Sequence, residues 1–370
     1  MRVLVVNAGS SSLKLRLVDA DDRVAGRADL PAVGRASAND IAAALRDLGP
    51  CDAVGHRVVH GGERFREPVV VDAAVRRALE ELTELAPLHQ PKSLAALDAV
   101  TAAAPDVPTV ACFDTAFHAT MRPEAAVYAV PAEWRERYGV RRYGFHGLSH
   151  AYAAHRAAEV VGAGGGPTRR VVTCHLGAGA SLAAVHEGRS VDTTMGFTPL
   201  EGLTMATRSG TVDPGAVLWL VTLHGLDPGE VAEALEHRSG LLGLAGTADM
   251  AEVVQRADRG DAVAGLAFAQ YLHRLRAGIC AMAASLGGLD ILVFTGGVGE
   301  NAPAVRAAAV GALPFLGLAI DAAANAAVDL DADDPPGVCD IGAPAAAARV
   351  LVVAAREDLE IARGVRALLT

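Results

Sequence analysis

Short apolar runs punctuated by glycine alternate along the chain with longer stretches of helical rhythm. Val3–Val6 and Leu13–Val18 flank the turn Asn7-Ala8-Gly9-Ser10-Ser11-Ser12 and predict a hairpin. The device returns far downstream: Val171–Leu176 and Ala180–Val185 flank Gly177-Ala178-Gly179. Between the copies, Ala53–Val59 predicts a strand, Asp72–Leu85 and Leu94–Ala104 helices, and Val107–Phe113 a buried strand ending at Asp114. Pro87 and Pro91 bracket a loop, and a helix runs through His150–Val161 until the glycine-rich stretch at 162–166. Beyond the second hairpin come several helices and a strand Ile291–Phe294 that runs into a third glycine cluster. A strand Arg349–Val353 and a helix Asp358–Leu368 close the chain, with the Ala/Asp/Pro-rich segment 325–347 expected as a surface excursion.

Composition narrows the class. The chain has 370 residues, enough for two domains, and is 51% hydrophobic. Its longest apolar stretch, Ala262–Leu286, is interrupted by Gln270, His273, Arg274 and Arg276, so no membrane span is expected. The N-terminus enters a strand at once, and no secretory leader is expected. A net charge of −10 disfavours a nucleic-acid surface. Five scattered cysteines without a CxxC pair fit a reducing, cytoplasmic setting.

The doubled turn points to chemistry. Such turns expose backbone N–H groups where no side chain blocks approach, which suits phosphate oxygens. Two of them suggest related halves serving one phosphorylated ligand. Neither copy is a P-loop, because GxxxxGK[ST] and its helix are missing. In the first, Asn7, Ser10 and Ser12 can bond phosphate oxygens and Lys14 can neutralise charge. Lys14 and Lys92 are the chain's lysines, and a solvated strand residue is the competing reading for Lys14. The third cluster, Thr295–Asn301, lacks GxGxxG spacing, which favours adenosine or phosphate contact at Gly297, Gly299 and Asn301 over a dinucleotide. Asn301 or its neighbours are expected to start the helix that follows.

The run Asp192–Gly210 has no period but is rich in Thr, Gly and Pro, the mark of a long loop that serves a site. Arg208 within it can clamp a phosphate or carboxylate. Arg57 lies inside a short strand where a solvated charge would be awkward. For either arginine a structural ion pair is the alternative. His146 and His150 stand four apart, but no Glu follows the first as zinc helices require, so His146 reads as a donor to a ligand oxygen. His89 suits either a structural or a functional role. Asp114 and Glu357 are carboxylates of the kind Mg²⁺ takes, with Mn²⁺ as its substitute.

Together these runs resemble the acetate kinases, of the superfamily shared with sugar kinases, actin and heat-shock chaperones. The resemblance rests on NAGSSSLK at 7–14, GHRVVHGGE at 55–63, APLH at 86–89, FDTAFH at 113–118 and YGFHG at 143–147. It continues through HLGAGAS at 175–181, DTTMGFTPLEGL at 192–203, TRSG at 207–210, FTGGVGEN at 294–301 and REDLEIAR at 356–363. It implies an α/β fold of two duplicated actin-like, ribonuclease H-like domains with a cleft between them. The expected boundaries are 1–118 plus 358–370 and 119–357. It implies reversible transfer of the ATP γ-phosphoryl group to acetate. Arg57 and Arg208 would clamp the carboxylate and the moving group, and His146 would hydrogen-bond it. Asp114 and Glu357 would serve the metal, with Asn7 beside Glu357 as a metal contact. Val59, Leu88, Phe145 and Pro199 would line the pocket for the acid's methyl group. His175, Gly177, Ala178 and Gly179 would face the nucleotide, and a homodimer is implied.

The chain departs from the family's usual residues at Ala178 (Asn), Ala206 (Gly), Thr211 (Asp), Gln90 (Asn) and Leu148 (Thr). A kinase for propionate, a pyrophosphate-dependent variant and a non-catalytic nucleotide switch are the competing readings. The full set Arg57, Arg208, His146, Asp114 and Glu357 argues against the switch, which needs no carboxylate clamp.

Overall fold

The computed structural model describes residues 1–9, 12–87, 89–166, 168–331 and 337–370, so Ser10 and Leu88 lie outside the described residues. The chain divides into two compact units. One comprises Met1–Ala119, Phe145–Tyr152 and Arg356–Thr370; the other comprises Thr120–Gly144 and Ala153–Ala355. Phe145–Tyr152, Arg356 and Glu357, which the sequence reading puts in the C-terminal domain, group with the first unit.

The first unit is built on a six-stranded sheet: β1 (Val3–Ala8), β2 (Ser12–Val18), β3 (Val24–Pro31), β4 (Ala53–Val58), β5 (Val69–Val70) and β6 (Thr109–Phe113). The spatial order is β3-β2-β1-β4-β6-β5. β1, β4 and β6 run parallel to one another, while β2, β3 and β5 are antiparallel to their neighbours. Alternation decides β2: Leu13, Leu15 and Leu17 are buried with Leu4, Val6 and Val54, and Lys14 points to solvent. Each such leucine contributes about 1.5–3 kcal/mol on burial. β6 is buried at every position, as a central parallel strand requires. The helix Glu357–Leu369 buries Leu359, Ile361, Ala362 and Val365 and packs on β1 and β4, which brings Glu357 to the ends of those strands.

The second unit repeats the plan. Its strands are β7 (Arg170–Leu176), β8 (Ala180–His186), β9 (Arg189–Thr193), β10 (Ile291–Thr295), β11 (Val338–Asp340) and β12 (Arg349–Val353). Read as β9-β8-β7-β10-β12-β11, the sheet matches the first in order and in every strand direction. The doubled hairpin is therefore the visible part of a doubled sheet.

One expectation needs correction. Part of the stretch expected as a surface excursion is a strand: Val338–Asp340 pairs antiparallel with β12. The helix expected to start at Asn301 or its neighbours is Pro303–Gly311, and the glycine cluster forms a short helix of its own, Gly296–Asn301, in which Asn301 Nδ2 donates to the Gly297 carbonyl at 3.0 Å. Among the described residues no helix is long and apolar enough to cross a membrane.

Candidate active site

In the first unit four of the sequence-predicted residues converge. Arg57 sits on β4 one residue before its end, and Asp114 directly follows β6, so parallel neighbours deliver them to one place. Arg57 donates from Nε to Asp114 Oδ1 at 2.9 Å and from Nη2 to Oδ2 at 2.6 Å, a fork against a carboxylate. Its Nη1 donates to Asn7 Oδ1 at 3.2 Å, and Asn7 Nδ2 donates to Glu357 Oε2 at 3.0 Å. Glu357 Oε2 also lies 3.6 Å from Arg57 Nε. Asp114 is only 1% exposed, while the Arg57 side chain keeps 19%.

The electrostatics follow from that burial. Burial works against the Arg57 charge, but the carboxylates of Asp114 and Glu357 outweigh it and hold the guanidinium protonated above its ordinary value. Burial pushes the Asp114 carboxyl above the usual range against the pull of Arg57, and the Glu357 charge adds to the push. The result is a fixed cation facing the site.

His146 has a left-handed backbone with φ 57°, a conformation uncommon for a non-glycine residue. Such strain costs on the order of 1–3 kcal/mol and clusters where function holds it in place. Two bonds fix it: Gly147 N donates to the Asp114 carbonyl at 2.9 Å, and His150 N donates to the His146 carbonyl at 2.9 Å. His118 Nε2 donates to the Phe145 carbonyl at 3.0 Å, and the buried Phe145 ring meets His60 edge-on at 5.5 Å. Val59, just past β4, is half-buried. Gln90 is structural: its amide donates to the carbonyls of His60 at 3.3 Å and Leu79 at 3.1 Å. At the first glycine turn, Gly9 N donates to the Ser12 carbonyl at 2.8 Å, and Lys14 is paired opposite Asn7.

In the second unit the other two glycine turns come together. His175 pairs with Thr295 across β7 and β10, so both turns leave adjacent strands at the same level. Gly177 N donates to the Gly179 carbonyl at 2.9 Å, and a methyl group on Gly177 would lie 4.0 Å from Gly297 N. Glu300, which the sequence reading missed, accepts from Gly296 N and Ala355 N, both at 2.9 Å. Arg208 is held from two sides: Nε donates to Glu236 Oε2 at 3.0 Å and Nη1 to the Pro199 carbonyl at 3.4 Å. Glu236 was also missed, since nothing in its own neighbourhood in the sequence marks a partner of Arg208.

The sequence matches the acetokinase family over residues 32–363. The chain belongs to the acetokinase family. It is 46% identical to the acetate kinase of Leifsonia xyli over 98% of this chain and 97% of that one. Its structure is similar to that of Porphyromonas gingivalis acetate kinase, with a TM-score of 0.89 at 34% identity, covering all of both chains. It is also similar to a propionate kinase from Francisella tularensis, with a TM-score of 0.87 at 34% identity over 98% of each.

Seen against this acetokinase membership, two of the departures meet: Ala206 N donates to the Ala178 carbonyl at 3.1 Å. Thr211 still ties the loop, because Gly202 N donates to its hydroxyl at 3.1 Å and its own N–H returns to the Gly202 carbonyl at 3.0 Å. The donors around Arg57 suit Mg²⁺. Asn7, Asp114 and Glu357 offer hard oxygens, and among the described residues no cluster of three or more His, Cys, Asp or Glu forms a complete cage. Mg²⁺ does not need a cage, since it keeps waters and takes phosphate oxygens beside one or two carboxylates. Both oxygens of Asp114 are engaged by Arg57, which leaves Glu357 the carboxylate better suited to the ion.

Proposed function

We propose that this chain transfers the γ-phosphoryl group of ATP to acetate, reversibly, giving acetyl phosphate and ADP. The observation that carries the reading is the Arg57–Asp114 fork, bridged by Asn7 to Glu357 in a chain of this family. A carboxylate is already a nucleophile, so no general base is needed. An acetate oxygen forms the new P–O bond as the bond to the leaving ADP oxygen breaks, and no proton moves. The protein's task is alignment and neutralisation of a loose transition state.

Arg57, with its plane fixed by Asp114, and Arg208, fixed by Glu236, supply the positive charge. His146 donates to the transferring group. Glu357, with Asn7, would hold Mg²⁺, whose chemistry is to neutralise phosphate charge; Mn²⁺ is the expected substitute. His175, Gly177, Ala178, Gly179, Gly297, Gly299 and Asn301 are assigned to the nucleotide, and Asn7, Ser10, Ser12 and Lys14 to phosphate oxygens. Val59, Leu88, Phe145 and Pro199 are assigned to the acid's methyl group.

We also propose that the chain works as a homodimer in the cytoplasm. The helix Pro214–Thr222 is apolar along most of its length yet buries no residue. Leu218, Trp219 and Leu223 are 61%, 51% and 74% exposed, a patch that a second copy would cover. The five cysteines are free thiols, consistent with a reducing compartment.

A propionate kinase is the second reading, favoured by the structural likeness to the Francisella enzyme at the same 34% identity. Hydroxylamine trapping of acyl phosphate, with acetate, propionate and butyrate against ATP, GTP and pyrophosphate, separates these readings. One methylene in the pocket should discriminate by about 1–3 kcal/mol. Acetate with ATP is expected to give the most hydroxamate, and none with any pair would end the kinase reading.

A further inference from the structure

The loop that carries Pro199 is buckled to a second segment of its own unit by three side chains with no assigned role. Arg142 donates from Nη1 to the carbonyls of Thr194 at 3.1 Å and Met195 at 2.9 Å, and from Nη2 to Glu201 Oε1 at 2.8 Å. The Tyr128 hydroxyl donates to the other oxygen of Glu201 and accepts from Phe197 N at 3.1 Å. The Arg142 guanidinium also lies over the Tyr128 ring, 5.5 Å from its centre. Backbone completes the buckle: Tyr143 N and Gly144 N both donate to the Gly196 carbonyl, at 3.0 and 3.3 Å.

The buckle is closely fitted around Gly196. A Cβ on Gly196 would fall against Glu201 Oε2 and the Tyr128 hydroxyl oxygen, so a larger residue there would have to displace both side-chain ends. The segment it fastens is neither helix nor strand, so these side chains join a few scattered backbone bonds in holding its course.

The buckle leads to Arg208 through one atom, the Pro199 carbonyl, which accepts from Arg208 Nη1 at 3.4 Å. Glu201 is two residues beyond Pro199. At its other end the buckle holds Tyr143 and Gly144, the residues directly before Phe145 and His146. We infer that Tyr128, Arg142 and Glu201 are positioning residues that set both the aim of the Arg208 guanidinium and the wall that Pro199 gives the acid. The inference rests on the kinase reading above and extends it to residues that touch no substrate.

The test uses the full chain as Glu201→Gln and Tyr128→Phe, with steady-state kinetics on acetate and propionate and thermal midpoints in parallel. Glu201→Gln keeps the shape but weakens both bonds, and Tyr128→Phe removes one oxygen. Both are expected to lower kcat by about 10- to 100-fold, the scale of a small misplacement at a reacting centre, with the ATP KM within about twofold of wild type. The ratio of kcat/KM for acetate over propionate is expected to shift in the same variants. The double variant Tyr128→Phe/Glu201→Gln should lose no more than the worse single variant, because one buckle is being broken. Unchanged kcat and acid preference in both single variants would overturn the inference. So would activity lost only in proportion to folded protein at the assay temperature. A wild type that phosphorylates no acid would overturn the kinase reading and this inference with it, whereas normal wild-type turnover with silent variants overturns this inference alone.

Discussion

Arg57 and Asp114 meet through two parallel hydrogen bonds, 2.9 and 2.6 Å long, made by the ends of neighbouring parallel strands. The fork fixes the guanidinium plane and leaves Nη1 on Asn7 Oδ1. Asp114→Asn keeps the size but removes the charge and one acceptor. Breaking a buried pair from one side costs about 3–5 kcal/mol of stability, lessened here because Glu357 stays 3.6 Å from the guanidinium. Turnover should fall by about 10²–10³-fold, the effect of losing one preorganised electrostatic donor. Acyl-phosphate assays and urea unfolding on the same preparation check both numbers.

Acid should destabilise the fold through two histidines of the first unit. His56 and His60 are buried, and burial lowers their pKa values from 6.5 to about 3 and about 4. In the unfolded chain both take up protons near pH 6.5, while the folded chain does not. The unfolded state therefore binds more protons in this window, and stability, complete above pH 6.5, is lost as pH falls toward 4. Each histidine contributes a slope of about 1.4 kcal/mol per pH unit. Urea midpoints at pH 7, 6 and 5 should drop accordingly, and His56→Leu should remove about half of the slope.

Ala178 is exposed on the second glycine turn, where the family's usual asparagine would add a donor. One restored hydrogen bond is worth about 0.5–1.5 kcal/mol. Ala178→Asn is thus expected to lower the ATP KM by about 2- to 10-fold while leaving the acetate KM unchanged. Equal shifts in both constants would place Ala178 away from the nucleotide.

Much of this architecture was legible because the signals are local. The leucines of β2 alternate, β6 is uniformly apolar, and the glycine turns stand out from their flanks. The edge strands were harder. β3 alternates strictly, but its inward positions are only half-buried and include Gly26 and Ala28, and β11 is three residues long inside an Ala/Asp/Pro-rich stretch, so both signals are weak. The short helix Gly296–Asn301 carried no signal because glycine is a poor helix former, whereas the helix Pro303–Gly311 starts beside Asn301 as expected. Arg57 and Asp114 were visible as charges on buried strands and Glu357 as a carboxylate opening a helix, but their bonds depend on strand order. The partners of Arg208 were split: Pro199 lies in the same loop, whereas Glu236 is 28 residues away on the helix Pro228–His237. The Ala178–Ala206 contact was hidden for the same reason, being a bond between loops that only the fold brings together.

The most direct test follows phosphorus itself. ³¹P NMR of the protein with ATP, Mg²⁺ and acetate should show the ATP γ resonance replaced by acetyl phosphate, with ADP formed in equal amount. Arg57→Ala should reduce that exchange by at least about 10²-fold while the folded sheet persists. Hydrolysis to inorganic phosphate without acetyl phosphate, or undiminished exchange in Arg57→Ala, would contradict a centre built on Arg57 and Asp114.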